Sequence, residues 1–296
     1  MAPKFSVNNR PVASLPQCPG VYRFLTADNQ ILYIGKSVNL RARVRSHLTG
    51  SGDASRRQRL LHATERIDCR PTAGEAGALL LENAAIKAEG PPFNRRQRAV
   101  RRLWSVTLQS DRNQFLQPQI TSFSIDRSEV VEAYGCYNSR RHARRVVEII
   151  AREAGLCPQC LGLTPGTGPC FQYQLKRCRG ACVGREDAAG HNQRLLHALV
   201  ERQLSAWPVT GPVLLFEEGA DDSVQPPGEW HLLHNWGYMG TYTTPQAAVE
   251  GIDHIRVMFD RDTYRILRGI LNNGRASLFC ARTLTSISWP TPESVS

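Results

Sequence analysis

The stretch from Gly20 to His47, GVYRFLTADNQILYIGKSVNLRARVRSH, constrains this chain more than any other. Two short apolar runs, Val21–Leu25 and Ile31–Ile34, flank an Ala-Asp-Asn-Gln turn. That pattern predicts a β-hairpin turning at Asp28 and Asn29, whose side chains bond their own backbone and tolerate left-handed φ. Gly35 is expected to end the second strand. Ser37 is expected to cap a helix over Asn39–His47 that carries Arg41, Arg43 and Arg45. Tyr22 and Tyr33 lie in the hairpin, and Lys36 follows it directly. Phenols, an amine and guanidiniums on one side of a small sheet suit work on a phosphodiester. An ordinary hairpin with core tyrosines is the plain alternative.

Charge distribution narrows the partner. The formal net charge is +11, and residues 1–102 hold 18 Lys and Arg against 7 Asp and Glu, so the whole excess lies in the N-terminal third. Such asymmetry predicts a polyanion partner and salt-sensitive binding. The 296 residues allow two domains or three small ones. The N-terminus has no continuous apolar core and no run approaches a membrane span, so a cytoplasmic location without signal peptide or membrane contact is expected. Nine cysteines in such a chain point to metal binding or free thiols ahead of disulfides.

Three regions follow: 14–103, 104–206 and 207–296. In the first, Leu15–Pro19 reads as an extended lead-in. Ser55–Ala63 is a second basic helix and Arg66–Arg70 a third strand. Thr72 and Glu75 form a capping-box pattern for a helix from about Ala73 to Ala88, stopped by Gly90-Pro91-Pro92. Its middle is apolar except for Glu82, which shares a face with Ala78, Leu79, Ala85 and Ile86. A lone carboxylate there is costly to bury unless paired or metal-bound. A surface glutamate at the edge of the stripe is the bland reading. Beside the hairpin, Glu82 becomes the candidate metal ligand, with Asn94 capping the site from the following loop. Arg41, Arg45, Arg95, Arg96 and Arg98 are candidate DNA contacts, the last three equally a basic linker.

In the middle region Leu103–Leu108 and Gln119–Ile125 read as a hairpin, and Tyr134–Tyr137 leads into a basic helix over Ser139–Ala154. Cys157, Cys160, Cys170, Cys178 and Cys182 fall within 26 residues of loop-rich chain, as in a metal-organised knot for zinc or iron–sulfur. A helix is expected over Arg185–Trp207. The C-terminal region reads as a small α+β unit. Its strands are Gly211–Glu217, Trp230–His234, Gly237–Tyr242 and Ser277–Ala281, its helices Pro245–Val257 and Asp260–Leu271, and its tail disordered. His231, His234 and His254 are expected at the surface.

Gly20-Val21-Tyr22 and Tyr33-Ile34-Gly35 resemble the GIY-YIG nuclease signature. With Lys36, Arg43 ten residues after Tyr33, Glu82 and Asn94, the order is similar to the N-terminal nuclease domain of UvrC, the excinuclease of bacterial nucleotide excision repair. The resemblance implies an α/β (α+β) domain with a small mixed, mostly antiparallel three-stranded sheet flanked by helices. It implies a DNA endonuclease using Tyr22, Tyr33, Lys36, Arg43, His47, Glu82 and Asn94. His47 stands where UvrC usually has another tyrosine, although some restriction enzymes of the superfamily use histidine nearby. Glu82 would hold one Mg²⁺ or Mn²⁺ and Arg43 would neutralise the transition state. Tyr22, ahead of Tyr33, would activate water once nearby cations lower its pKa.

Cys170–Cys182 is also similar to UvrC, whose central region carries a four-iron (4Fe-4S) cluster. Cys157 is the expected fourth ligand, Cys160 the alternate and zinc the alternative metal. No second nuclease domain and no tandem helix-hairpin-helix is visible, so the chain resembles the short UvrC homologues. They imply a damage-induced, nucleoid-associated monomer that cuts damaged duplex DNA once, on the 3′ side of a lesion, after UvrA and UvrB have marked it. No UvrB-binding coiled coil is visible, so docking on UvrB would use another surface. A stand-alone homing or restriction nuclease lacks a sequence-reading module here. A silent DNA-binding scaffold would have lost Arg43 or Glu82, and a metallochaperone leaves the basic third unexplained.

Overall fold

The computed structural model describes residues 14–49, 54–94, 103–123, 133–219, 226–252 and 259–290, together with the backbone of 4–6. Two compact units result, residues 1–99 with 207–296, and residues 100–206.

The first unit opens with β1 (Lys4–Ser6), β2 (Gly20–Leu25), β3 (Ile31–Ser37), α1 (Leu40–Thr49), α2 (Ala54–Ala63), β4 (Arg66–Pro71) and α3 (Glu75–Glu89). The sheet order is β1-β4-β2-β3. The expected three strands are present, every pairing is antiparallel rather than mixed, and the short β1 adds an edge. Alternation along β2 serves two layers. Tyr22 and Phe24 pack with Ile67 and Cys69 against Leu40, Val44 and Leu60 of the two basic helices. Val21 packs with Ile34 against Leu81, Ala85 and Ile86 of α3. Each such side chain contributes about 1.5–3 kcal/mol on burial, which fixes both tyrosine-bearing strands between helices.

Local details differ from the sequence reading. Strand β3 runs through Gly35 to Ser37. The cap of α1 is Asn39, whose Oδ1 accepts the Ala42 N–H at 2.9 Å, while Ser37 Oγ accepts from Asn39 one step earlier. The Thr72–Glu75 capping box does not form. Thr72 Oγ1 donates to the Gly74 carbonyl, and Gly74 occupies the cap position with no side chain to offer.

The second unit contains the expected hairpin, β5 (Leu103–Ser110) with β6 (Leu116–Phe123), then β7 (Tyr134–Tyr137), α4 (Arg140–Glu153), α5 (Phe171–Gln174) and α6 (Ala188–Leu199). The sheet order is β6-β5-β7. Ser139 Oγ caps α4 through the His142 N–H. The apolar face of α4, Ala143, Val147, Ile150 and Ala151, packs with Val106, Tyr134, Leu195 and Leu199. The helix expected to reach Trp207 stops at Leu199, a 3₁₀ turn follows, and Gln203 bridges to Tyr134.

Residues 207–296 give the first unit a second antiparallel sheet. Its elements are β8 (Val213–Glu218), β9 (Gly228–His234), β10 (Gly237–Tyr242), α7 (Pro245–Glu250), α8 (Arg261–Leu271), β11 (Ser277–Cys280) and β12 (Ser286–Ile287), in the order β10-β9-β8-β11-β12. Asn235 and Trp236 turn the β9–β10 hairpin, both at positive φ. The helix expected to reach Val257 is described only to Glu250, and 253–258, with His254, lie outside the described residues. The tail is partly ordered, since β12 pairs with β11 and Trp289 packs edge-on against Trp207 and Trp236. His231, expected at the surface, is fully buried, and His234 is half-buried. No helix among the described residues is long and apolar enough to cross a membrane.

Candidate active site

Contact, rather than backbone strain, demands glycine at both ends of the hairpin motif. A Cβ on Gly35 would lie 2.3 Å from Tyr22 Oη, and one on Gly20 would lie 2.4 Å from the Arg70 carbonyl oxygen. Gly35 faces Tyr22 across the β2–β3 register, so the Tyr22 ring lies flat over it.

Tyr22 is fully buried. Its Oη lies 2.8 Å from His47 Nε2, with the Arg43 guanidinium and the Tyr33 phenol nearby. The rings of Tyr22, Phe24, Tyr33 and His47 pack with centroids 5.4–6.0 Å apart. Burial, reinforced by neighbouring Tyr33, pushes the Tyr22 phenol far above its ordinary pKa, and the nearby Arg43 guanidinium offsets only part of that. Burial, with Arg43 and Arg57 nearby, lowers His47 to about 4. The imidazole is therefore neutral at neutral pH, and in the tautomer protonated at Nδ1 its Nε2 accepts from the Tyr22 hydroxyl. The two tyrosines differ in access, for Tyr33 is half-buried and reaches the surface.

Glu82 projects from α3 beside β3. Its Oε1 accepts the Lys36 backbone N–H at 2.9 Å, and no hydrogen bond engages Oε2 among the described residues. Burial raises its pKa against the opposing pull of that amide, Lys36 and Arg43. One half-buried carboxylate with an uncommitted oxygen, near Lys36 and Arg43, fits a hard dication that keeps most of its waters, Mg²⁺ or Mn²⁺. The ammonium of Lys36 instead pairs with Glu75 at 2.5 Å. Asn94 is buried behind the site. Its Oδ1 accepts the Ile34 N–H at 2.9 Å and its Nδ2 donates to the Ile34 carbonyl at 2.8 Å, pinning the loop after α3 to β3.

Among the other basic residues, Arg41 Nε donates to the Leu15 carbonyl at 2.7 Å and so ties down the lead-in, while Arg45 is exposed. Arg95, Arg96 and Arg98 lie outside the described residues. Arg57 was not singled out from sequence. It is half-buried beside His47, and its Nε has no hydrogen-bond partner among the described residues. Its only sequence signal was the generic basic run Arg56-Arg57-Gln58-Arg59.

The second unit carries a thiol cluster. The sulfurs of Cys157, Cys170, Cys178 and Cys182 all lie within 4.8 Å of one another, with Cys157 and Cys170 3.8 Å apart. Backbone amides of Cys170, Tyr173 and Gly180 donate to Cys182, Cys170 and Cys178 sulfurs, each at 3.3 Å. The neighbouring Cys160 thiol holds Cys157 down at about 4. Burial pushes Cys170 up to about 12 and raises Cys178. Four thiolates here therefore need a cation, and the donor set fits one. Zinc–sulfur bonds of about 2.3 Å give a tetrahedral edge of about 3.8 Å, the separation of Cys157 from Cys170. A four-iron cluster holds its thiolates farther apart, outside a cube of iron and sulfide.

Comparison with known proteins places these features. The UvrC-like GIY-YIG domain family matches residues 18–95, the UvrC/Cho excinuclease middle domain 104–201, and the excinuclease Cho C-terminal domain 212–283. Excinuclease Cho of Escherichia coli strain K12 is 37% identical over 256 residues, 86% of this chain and 82% of that one. Its Salmonella typhi counterpart is 36% identical over 273 residues, 89% of this chain and 86% of that one. A solved structure, the GIY-YIG N-terminal endonuclease domain of Thermotoga maritima UvrC bound to magnesium, is 29% identical over 28% of this chain and 90% of that one, at a TM-score of 0.26. With a domain family matched in each of its three regions and relatives of this identity and coverage, the chain belongs to the excinuclease Cho family and is a DNA endonuclease of nucleotide excision repair.

Proposed function

We propose that this endonuclease makes a single incision on the 3′ side of a lesion, after UvrA and UvrB have marked the damage, and that Tyr33, Tyr22 and His47 pass the proton that the reaction releases. The observation that carries the chemistry is the hydrogen bond from buried Tyr22 to neutral His47, with surface-reaching Tyr33 packed against both rings, beside Glu82 and Arg43. The side of the cut and the partners rest on the likeness to UvrC.

Glu82 Oε2 would hold the divalent ion, which supplies Lewis-acid stabilisation of the phosphate when bound. Tyr33 Oη takes a proton from the attacking water as its own proton passes to Tyr22 Oη, and the Tyr22 proton passes to His47 Nε2. The water oxygen bonds phosphorus, the bond from phosphorus to the 3′ oxygen breaks, and that oxygen takes a proton from solvent. Arg43 neutralises charge on the phosphate with its guanidinium fork. The arriving phosphate offsets the Arg43 and Arg57 charges that keep His47 low, so the imidazole becomes a better acceptor as substrate binds.

His47→Gln is expected to lower the single-turnover incision rate by roughly 10²-fold, the usual scale of general acid–base help. It is also expected to change stability against pH in a definite direction. The unfolded His47 value of 6.5 exceeds the folded value of about 4, so the unfolded chain binds the extra proton between them. The stability that His47 contributes is full above pH 6.5 and is lost as pH falls toward 4. Urea unfolding at pH 7 and pH 5 should show a smaller loss in His47→Gln than in wild type.

Gly35→Ala places a methyl where the Tyr22 phenol lies. A displacement on that scale is expected to cost roughly 10²-fold in single-turnover cutting, with DNA affinity unchanged. For the thiol cluster, we propose a structural metal held by Cys157, Cys170, Cys178 and Cys182. The tight sulfur spacing favours zinc over the four-iron cluster that the UvrC likeness suggests.

A further inference from the structure

We infer that residues 207–296 act as a clamp on the helix that carries Glu82, and that Glu217 is the positioning residue that sets where this helix begins. The inference rests on the reading of Glu82 as the metal ligand.

Helix α3 starts without a cap of its own. Gly74 stands in the cap position, and the first amides turn to the second sheet instead. The Ala76 N–H donates to Glu217 Oε1 at 2.8 Å and the Gly77 N–H to Glu217 Oε2 at 2.7 Å. Three residues before Ala76, the Ala73 N–H donates to Glu229 Oε2 at 3.0 Å. A bidentate carboxylate at the positive end of a helix is both a hydrogen-bond acceptor and a charge complement.

Glycines make room for it. A Cβ on Gly74 would lie 2.2 Å from Glu217 Oε1, and one on Gly77 would lie 2.9 Å from His231 Cε1 and 3.0 Å from Glu217 Oε2. Glu217 is fixed in turn from behind. His231 Nε2 lies 3.2 Å from its Oε2, and His231 Nδ1 lies 2.8 Å from Thr241 Oγ1, which also meets Tyr238 Oη at 2.6 Å. Burial works against the Glu217 charge, yet the His231 ring and the Gly77 and Ala76 amides hold its carboxyl below the ordinary value.

The far end of α3 is tied to the same region. Lys87 pairs with Asp260 and, at 3.5 Å, with Asp262. Asn83 Nδ2, one residue past Glu82, donates to Thr263 Oγ1 at 2.8 Å. Between these anchors Glu82 meets the Lys36 amide on β3. The helix is therefore held at its start and along its last two turns by residues 207–296, and in the middle by the hairpin. A slip at the start would carry Glu82 and Glu75, the partner of Lys36, out of register with β3.

Glu217, Glu229 and His231 have the donor types of a metal site, and their atoms lie within 4.8 Å of one another. Their carboxylate oxygens already accept from three backbone amides at the positive end of a helix, an arrangement that repels a cation. The cluster is an amide-holding device, which assigns a task to the C-terminal sheet.

The test is a Mg²⁺ titration of cutting by the full chain. Glu217→Ala should raise the half-saturating Mg²⁺ concentration roughly tenfold, because a misplaced ligand loses metal affinity, while leaving DNA affinity unchanged. Glu218→Ala, an exposed neighbour on β8, should leave the titration as in wild type. Glu217→Gln, which keeps one acceptor oxygen, should fall between wild type and Glu217→Ala. Should Glu217→Ala fail to fold, Glu229→Gln read in the same titration decides, with a shift in the same sense expected. An unshifted Mg²⁺ midpoint, or a loss of maximal rate alone, overturns the clamp. Glu82→Gln separates the two levels. If it cuts with the wild-type midpoint, the metal-ligand reading has failed. If it is inactive while Glu217→Ala keeps the wild-type midpoint, the clamp alone has failed.

Discussion

Glu82→Gln is expected to lower Mg²⁺-dependent cutting by roughly 10³-fold or more, the scale of losing a group that stabilises charge only in the transition state. The substitution is nearly isosteric, and its Oε1 can still accept the Lys36 N–H that the carboxylate accepts at 2.9 Å. The fold around it should therefore persist. A further sign distinguishes removal of a ligand from damage to the fold. Burial raises the Glu82 pKa, so the ionised carboxylate weakens the folded state at neutral pH. That penalty fades as pH falls through the raised folded value and the group takes up its proton. Glu82→Gln should consequently unfold at a higher temperature than wild type at pH 7 while being nearly inactive. A calorimetric scan beside an incision assay checks both halves.

Cys178→Ser is the second large effect. Cys178 is buried with a neighbouring amide on its sulfur and three other thiols within 4.8 Å. Structural zinc binding in small thiolate sites is worth about 10–16 kcal/mol in apparent terms, so losing one ligand should empty the site. Metal content is expected to fall from one equivalent of zinc to near zero, with earlier unfolding of the 100–206 unit. Cys280→Ser, outside the cluster, should keep the metal. Elemental analysis with a visible absorption spectrum reads the result directly. Zinc without colour supports the compact-spacing argument, and iron with sulfide absorbance would show that the sulfurs spread to hold a cluster.

Much of the nuclease site is legible because its chemistry is local. Two glycines, two tyrosines, a lysine and a spaced arginine fall on one hairpin and its following helix, where alternation and helical period fix their faces. Glu82 is legible as a single charge in an otherwise apolar stripe. Contacts made across long stretches of chain are not. Thr72 and Glu75 satisfy the capping-box pattern, yet the α3 amides are taken by Glu217, 141 residues beyond Ala76. His231 reads as a surface histidine because its partner lies on another strand. Only the β8–β9 register, with Glu217 opposite Glu229 and Leu215 opposite His231, brings the three polar groups together. The choice between Tyr22 and Tyr33 likewise depends on burial, which the shared motif does not encode. Lys36 matches the family pattern by position, but its ammonium is neutralised by Glu75, and its backbone amide is what meets Glu82.

The most direct measurement is incision of an end-labelled duplex carrying one bulky lesion, in Mg²⁺, with and without UvrA and UvrB. It compares wild type with Arg43→Ala and Glu82→Gln. One cut on the 3′ side of the lesion is expected, requiring both partners and vanishing in both variants. Cutting of undamaged DNA without partners, or tight DNA binding by wild type with no cut, would contradict it.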